Sequence, residues 1–315
     1  MTCANGEVDR AMTQQLPTST GGPDWLRLTP GVFVLLWSTG FIGAKFGLPY
    51  AEPLTFLTIR LSLVAAILAV AALVMQAPWP RRWTDVGHIT VAGLLVHGVY
   101  LGGVFTGIAH GLPAGIAALI VGLQPLLTAA ASGRVFGERV SGHQWLGLTL
   151  GLCGVLLVVW ENLSLKAGYL TGIALCIAAL VGITVGTLYQ KRFCGGMDLR
   201  SGTAIQYAAT SLGLVVFAWQ LETMQVRWTG EFLFALVWLG LVLSVGAVFL
   251  LYVLIRRGAA AQVASLFYLV PPATAVIAYL MFDERLGLLA LAGMAVTAFG
   301  VALVNRKPQA ARPTG

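Results

Sequence analysis

Two stretches of the chain share a set of residues at the same spacing: LQPLLTAAASGRVFGERVSGHQWLGLTLGLCG (residues 123–154) and LVPPATAVIAYLMFDERLGLLALAGMAVTAFG (residues 269–300). An offset of 146 residues superimposes a proline, a Phe, a Glu-Arg pair and two glycines: Pro125 on Pro271, Phe136 on Phe282, Glu138 on Glu284, Arg139 on Arg285, Gly147 on Gly293 and Gly154 on Gly300. The same offset, without a gap, places Gly40 on Gly186. The chain therefore contains two copies of one unit.

Each copy is dominated by apolar segments long enough to cross a bilayer, which requires about 20 residues per helix. Only 10% of the residues are charged and the mean hydropathy is +0.85, whereas a soluble domain carries about 25% charged residues. Ten transmembrane helices are predicted, at residues 31–48, 53–75, 87–109, 113–131, 143–160, 168–190, 201–220, 232–254, 260–281 and 286–304. The expected fold is an all-α integral membrane protein, with tails at residues 1–30 and 306–315. We expect the first tail to be disordered.

The distribution of positive charge gives the predicted helices an orientation. Of the nineteen lysines and arginines, only Lys166, Arg227 and Arg285 fall in the connections expected outside, whereas fourteen fall in the tails and inner connections. This positive-inside bias predicts that both termini are cytoplasmic. It also explains the net charge of +7 without a nucleic-acid partner.

An odd number of helices in each copy inverts the second copy relative to the first. The predicted units are residues 31–160 and 168–305, each with five helices. Inverted repeats of this kind are typical of secondary transporters. We therefore expect two inverted five-helix repeats around a central cavity, in a multi-pass protein that binds a small-molecule substrate within the lipid bilayer.

These motifs resemble a known family. The pattern Ala118-Leu119 through Pro125, Phe136-Gly137-Glu138-Arg139 and Gly147 through Gly154, repeated in the second half, resembles the EamA unit of the drug/metabolite transporter superfamily. The resemblance extends from about Gly31 to Asn305, and is strongest to the YddG-type aromatic amino acid exporters. It implies ten helices around a central cavity, and outward movement of amino acids across the bacterial inner membrane.

Ionisable residues inside membrane spans are the first candidates for function. His97 and Tyr100 are three residues apart on the third span and share a face of it; alternatively, His97 bonds to a hydroxyl of a neighbouring helix. Arg60 lies within the second span, where the repeat has Gln206. It either binds a carboxylate, or extends its guanidinium toward the membrane surface or bonds to loop carbonyls. The other candidate cavity residues are Trp37, Ser38, Gln124, Thr184, Thr187, Tyr189, Ser244, Tyr252 and Tyr268.

Pro125 and Pro271 occupy matching positions in the fourth and ninth predicted spans. A proline removes one helical hydrogen bond and kinks the helix, and paired interruptions in the two halves of a transporter point to its binding site. We therefore predict that these helices bend during gating.

No aspartate or glutamate falls inside a predicted span, so a proton relay through a buried carboxylate is not indicated. This favours a facilitator or gradient-driven exporter, of aromatic or other large apolar amino acids. Export of another metabolite or drug is the alternative, and an intramembrane enzyme is a weaker one. The chain has no phosphate loop, metalloprotease motif or nucleophile elbow, and its four cysteines show no metal-binding spacing. We therefore expect no catalytic residues, no metal and no cofactor, and a monomer.

Overall fold

The computed structural model describes residues 25–136, 142–162, 168–247, 250 and 266–304. Within these ranges the chain is helical apart from its connections and one isolated antiparallel bridge between Ala51 and Val226. The α-helices are α1 (Trp25–Gly47), α2 (Pro53–Val74), α3 (Trp83–Gly93), α4 (Tyr100–Ala109), α5 (Ala114–Val121), α6 (Gln124–Phe136), α7 (Gly142–Asn162), α8 (Tyr169–Phe193), α9 (Leu199–Leu221), α10 (Gly230–Val237), α11 (Val270–Phe282) and α12 (Leu288–Val304). Three other helical segments join them. A first π segment (Leu94–Val99) links α3 to α4, a second π segment (Trp238–Ala247) follows α10, and a 3₁₀ turn (Phe267–Leu269) precedes α11.

Length and composition qualify six described helical stretches to cross a membrane: Leu28–Gly47, Pro53–Val74, Trp83–Ala109, Ala114–Ser132, Tyr169–Phe193 and Leu199–Leu221. Four shorter apolar helices accompany them, at Trp145–Leu157, Gly230–Ser244, Phe267–Phe282 and Leu288–Gly300. The chain is thus an all-helical, multi-pass membrane protein.

The beginning of α1 corrects one sequence-based expectation. Residues 1–30 were expected to form a disordered tail, yet α1 begins at Trp25 and continues through Pro30. A proline costs a helix one hydrogen bond, but helices in membrane proteins tolerate it where the freed backbone groups find other partners. Pro30 therefore does not mark the start of the first helix.

The helices pack in pairs that combine one element from each half of the chain. The most extensive contacts join α7 to α12, α2 to α9, and α4 to α8. One interior runs through both halves and contains fully buried aromatic side chains such as Phe56, Phe105 and Phe232. Neither half therefore has a core of its own.

The crossing of α7 and α12 is reciprocal under the offset of 146 residues. A Cβ atom at Gly154 would collide with Gly293 and Thr297, and one at Gly300 would lie 2.7 Å from the carbonyl oxygen of Gly147 and 3.0 Å from the backbone nitrogen of Gly151. Gly147 and Gly151 are thus the counterparts of Gly293 and Thr297, the partners of Gly154. Thr297 also donates a hydrogen bond to the carbonyl of Gly151, 146 residues away. Such reciprocity is what a two-fold axis between two copies produces.

Three carboxylates hold the helix ends together at one end of the bundle. Glu222 accepts hydrogen bonds from the backbone nitrogens of Leu54 and Thr55 at the start of α2, both at 2.7 Å. Glu52 accepts them in return from Thr223 at 2.7 Å and from Met224 at 3.1 Å.

The third carboxylate, Glu284, accepts from the backbone nitrogen of Ala114 at 3.1 Å and forms an ion pair with Lys45 at the end of α1. The first backbone N–H groups of a helix have no partner within it, and a carboxylate there also interacts favourably with the helix dipole. Each acid therefore joins one half of the chain to the other through a helix terminus.

The glycine crossing yields a test of the packing. Gly154→Ala and Gly300→Ala should each lower the melting midpoint of the detergent-solubilised protein, because overpacking a close contact typically costs about 1–3 kcal/mol. Gly87→Ala is the matched control, since nothing lies within 4 Å of the added Cβ. Equal midpoints for all three variants would contradict the close approach of α7 and α12.

Candidate functional site

A cavity of about 220 Å³ lies between helices of both halves. Its walls are mainly apolar and aromatic, with a few polar groups among them. The lining residues are Trp37, Gly40, Phe41, Arg60, Val96, His97, Tyr100, Leu101, Val104, Phe105, Ile183, Tyr207, Leu243 and Ser244. An apolar pocket with a few converging polar groups is the usual form of a small-molecule site. The volume lies below the range of about 300–1,000 Å³ that is common for drug-sized ligands, so it suits a smaller metabolite.

Arg60 is the charged residue of the described cavity wall. Its side chain is only 4% exposed, so it lies inside the protein. One Nη2–H donates to the hydroxyl of Ser244 at 3.3 Å, and the guanidinium lies 5.9 Å from the ring centre of Phe105. The Nε–H has no hydrogen-bond partner among the described residues. Arg60 also forms no ion pair with any carboxylate of the described residues.

Aromatic rings make up much of the rest of the cavity wall. The rings of His97 and Tyr207 pack with their centres 4.4 Å apart. Trp37 packs edge-on against Phe267 at 5.0 Å and lies 5.4 Å from Phe33. Tyr100 adds a phenol to the wall. The cavity thus combines one cation, several hydroxyl or imidazole groups and broad apolar faces.

Both π segments reach the cavity. Leu94–Val99 carries His97, and Trp238–Ala247 carries Leu243 and Ser244. The offset of 146 residues places the first π segment inside the second and aligns His97 with Leu243. A π turn holds an extra residue and loosens the backbone ladder, and such turns are frequent at functional sites. Within the second π segment, the hydroxyl of Ser244 donates a hydrogen bond to the backbone carbonyl of Leu239 at 3.0 Å.

Five of the predicted site residues therefore line this cavity: Trp37, Arg60, His97, Tyr100 and Ser244. Tyr252 lies outside the described residues. The others that were predicted to line it have different surroundings.

Three predicted hydroxyl groups bond to helix carbonyls. Ser38 is fully buried and donates to the carbonyl of Val34 at 2.8 Å and to that of Val270 at 3.3 Å. Thr184 and Thr187 each donate to the carbonyl four residues earlier, at 2.7 Å. Their side chains thus satisfy backbone groups rather than face the cavity.

The remaining predicted side chains also lie elsewhere. The amide of Gln124 donates to the hydroxyl of Thr128 on its own helix at 3.3 Å. The hydroxyl of Tyr189 is 2.7 Å from Nδ1 of His88, in a small cluster with Cys194. Tyr268 is buried against the start of α11, beside a void of about 10 Å³.

The two prolines lie where their helices are interrupted. The helix α5 ends at Val121 and α6 begins at Gln124, one residue before Pro125, while the 3₁₀ turn ends immediately before α11, which contains Pro271 in its first turn. The two interruptions touch: a Cβ atom on Gly122 would lie 3.2 Å from Cγ of Pro271. The two helix interruptions therefore lie side by side between the halves, next to the void at Tyr268.

Sequence reasoning missed one polar residue of the wall, Tyr207. Its position in a helix that is apolar on most sides gave no signal that it lines the cavity. The apolar wall residues, such as Phe41 and Val104, could not be told from ordinary core residues by type.

Carboxylates are absent from the described wall of the cavity. Across the described residues they lie in connections or in the end turns of helices: Glu52, Asp85, Glu161, Asp198, Glu222, Glu231, Asp283 and Glu284. Asp198 caps α9 through Arg200, and hydrogen bonds from that residue lower the pKa of the carboxyl to about 2. The described ranges contain no group of three His, Cys, Asp or Glu residues that could hold a metal ion.

Comparisons with known proteins agree with this architecture. The EamA-like transporter family matches residues 32–160 and 170–306. An uncharacterized transporter, YvbV of Bacillus subtilis, is 27% identical over 88% of this chain and 90% of its own length. A probable amino-acid metabolite efflux pump of Escherichia coli is 24% identical over 85% of this chain and 93% of its own. A solved crystal structure superposes with a TM-score of 0.63 at 22% identity, over 88% of this chain and 96% of the other.

Thiol labelling tests the cavity. In a background without the native cysteines, Ser244→Cys should react with a small thiol reagent because Ser244 lines the cavity. Ser38→Cys is the matched control and should react at least about ten-fold more slowly, because closed packing must open locally before a reagent enters. Labelling is measured as a mass increase over time. Equal rates at the two positions would contradict the assignment of the cavity wall.

Proposed function

The chain belongs to the EamA-like transporter family, and on that premise we propose that it exports amino acids with aromatic or other large apolar side chains. Transport occurs across the bacterial inner membrane by alternating access. Members of this family are transporters rather than enzymes, so the cavity is a site of passage. The observation that carries the proposal is the combination of Arg60 with an aromatic wall in which no carboxylate is described.

Alternating access follows from two inverted five-helix halves around the cavity. The reciprocal contacts of Gly154 and Gly300 support this symmetry. So does the cavity wall, because Trp37 and its counterpart Ile183 both line it, as do His97 and its counterpart Leu243. A site on the axis between two such halves is exposed to opposite sides when the halves exchange conformations.

The charge distribution orients this cycle. Both termini are cytoplasmic because the inner connections hold most of the lysines and arginines. The end of the bundle joined by Glu52, Glu222 and Glu284 then faces outward. Exchange of substrate with the outside requires that these contacts between halves loosen.

The amino acid assignment has two supports. The first is the cavity, in which a cation suits a carboxylate and aromatic faces suit an apolar side chain. The second is similarity to relatives from Escherichia coli and Salmonella typhimurium that are described as probable amino-acid metabolite efflux pumps. The lack of a carboxylate in the described cavity wall favours a facilitator or a gradient-driven exporter over a proton relay.

Counterflow in proteoliposomes tests the proposed function. Vesicles loaded with unlabelled phenylalanine should accumulate labelled phenylalanine transiently and saturably. Gly40→Leu should abolish the signal, because even a Cβ atom at this wall position would lie 3.0 Å from Leu243 and the longer side chain fills the cavity. Gly87→Leu on the surface of α3 serves as the matched control. Absence of saturable uptake for every amino acid tried would overturn the proposal.

Replacing the prolines tests the gating role of the interruptions. Pro125→Ala combined with Pro271→Ala removes two rings and restores two backbone donors, which lets each helix continue backward across its interruption. Each hydrogen bond formed across an interruption is worth about 1 kcal/mol net, so export should slow by roughly ten-fold or more at unchanged abundance. Initial rates of efflux, normalised to the amount of protein in the membrane, give the measurement. An unchanged rate would show that these helices do not bend during transport.

A further inference from the structure

We propose that Arg60 is the carboxylate-binding residue of the cavity and that the cavity recognises an apolar monocarboxylate with or without an α-amino group. This inference rests on the proposed function and deepens it. It extends the substrate class to acids that lack the ammonium group of an amino acid.

The first step of the argument is the incomplete bonding of Arg60. A guanidinium has five N–H donors, and Ser244 accepts from one of them. The Nε–H has no hydrogen-bond partner among the described residues. Water cannot easily replace that partner, because the side chain as a whole is only 4% exposed. Burying a cation that lacks a counter-charge is costly. The protein therefore leaves a binding position for an anion that must come from outside the described residues.

The shape of the donor set selects the anion. The edge of a guanidinium presents two parallel N–H groups that match the two oxygens of a carboxylate. A phosphate monoester carries more charge and is generally held by several cations, whereas Arg60 is the one lysine or arginine in the described wall of this cavity. One buried arginine thus fits a single carboxylate.

The surroundings of Arg60 describe the rest of the ligand. Phe105 lies beneath the guanidinium, and the wall continues through Trp37, Val104 and Leu243. These groups contact an apolar body. An ammonium group would meet hydroxyls, an imidazole and ring faces, because the described wall contains no carboxylate. Such contacts are weaker than an ion pair, so the carboxylate contributes more to binding than the amine.

Three compounds that share one phenyl body separate these contributions. L-Phenylalanine carries both charged groups, 3-phenylpropionate retains the carboxylate, and 2-phenylethylamine retains the ammonium. Each is added to the detergent-solubilised, full-length protein, and the shift of the melting midpoint is recorded at increasing concentration, because a ligand that binds the folded state stabilises it. We expect 3-phenylpropionate and phenylalanine to raise the midpoint at similar concentrations. We expect 2-phenylethylamine to require at least about ten-fold more.

Two variants assign the effect to Arg60. Arg60→Gln introduces the residue that the second half has at this position and should weaken binding of 3-phenylpropionate about ten- to a hundred-fold, the usual effect of losing a charge-assisted pair. Arg60→Lys keeps the charge and should retain part of the affinity. Arg285→Gln, at an exposed arginine paired with Asp283, is the matched control and should bind as the unmodified protein does.

The midpoint without ligand distinguishes recognition from a structural role. Removing an unpaired buried cation should leave the ligand-free midpoint of Arg60→Gln unchanged or higher, whereas an arginine that holds the helices together would lower it. A lower midpoint with an intact ligand shift would overturn the proposal. Binding of 2-phenylethylamine as tight as that of 3-phenylpropionate would also overturn the proposal. This comparison needs only the unmodified protein, so it does not depend on whether a variant folds.

The outcome is separable from that of the proposed function. If phenylalanine is exported but 3-phenylpropionate does not bind, the transporter assignment stands and the role of Arg60 is wrong. If 3-phenylpropionate binds through Arg60 and no amino acid shows counterflow, the cavity takes carboxylates and the amino acid assignment is wrong.

Discussion

A lipid bilayer offers the polypeptide backbone no hydrogen-bond partner, so every departure from an unbroken helix must be satisfied by the protein itself. Three features of the described structure show how helix ends and interruptions are satisfied or used. The acids Glu52, Glu222 and Glu284 satisfy helix starts or the turn after a helix, each in the other half of the chain. The π segments carry cavity residues, and the proline interruptions touch each other between the halves. The constraint that makes the fold helical thus also marks where its halves meet and, in the proposed cycle, where they would move.

Lys45 and Arg60 show how differently the same chain treats two cations within its helices. Lys45 is close to a helix end and is neutralised by Glu284, which in turn satisfies the backbone nitrogen of Ala114. Arg60 lies deeper, donates to the hydroxyl of Ser244 and lies over the ring of Phe105. A paired cation stabilises a closed contact between halves. An unpaired one favours the binding of an anion, as the proposed carboxylate site at Arg60 requires.

The sequence predicted how far along its helix each residue lies better than it predicted which side of the helix the residue occupies. The offset of 146 residues and the apolar lengths indicated where the helices run, and Pro125 and Pro271 indicated where two of them break. All three candidate hydroxyls, those of Ser244, Thr184 and Thr187, bond to a carbonyl of their own helical segment, yet of the three only Ser244 lines the described cavity. Helices that are apolar on every side carry no amphipathic signal to show which face is inside. Each π segment adds an extra residue within its helix and rotates the later residues about the helix axis, and nothing in the composition of these segments announces it.

The side chains of the cavity are not symmetric although the backbone around it is arranged in reciprocal pairs. The first half supplies Arg60, where the second half has Gln206 outside the described wall, and it supplies His97 and Trp37, whose counterparts Leu243 and Ile183 are aliphatic. The second half supplies the hydroxyl groups of Tyr207 and Ser244. Two buried arginines related by an axis through the cavity would repel each other and double the cost of desolvation. A single one avoids both. In the proposed cycle, the symmetry of the backbone would serve the exchange of conformations, and the single cation would set how a ligand with one charged end lies between the halves.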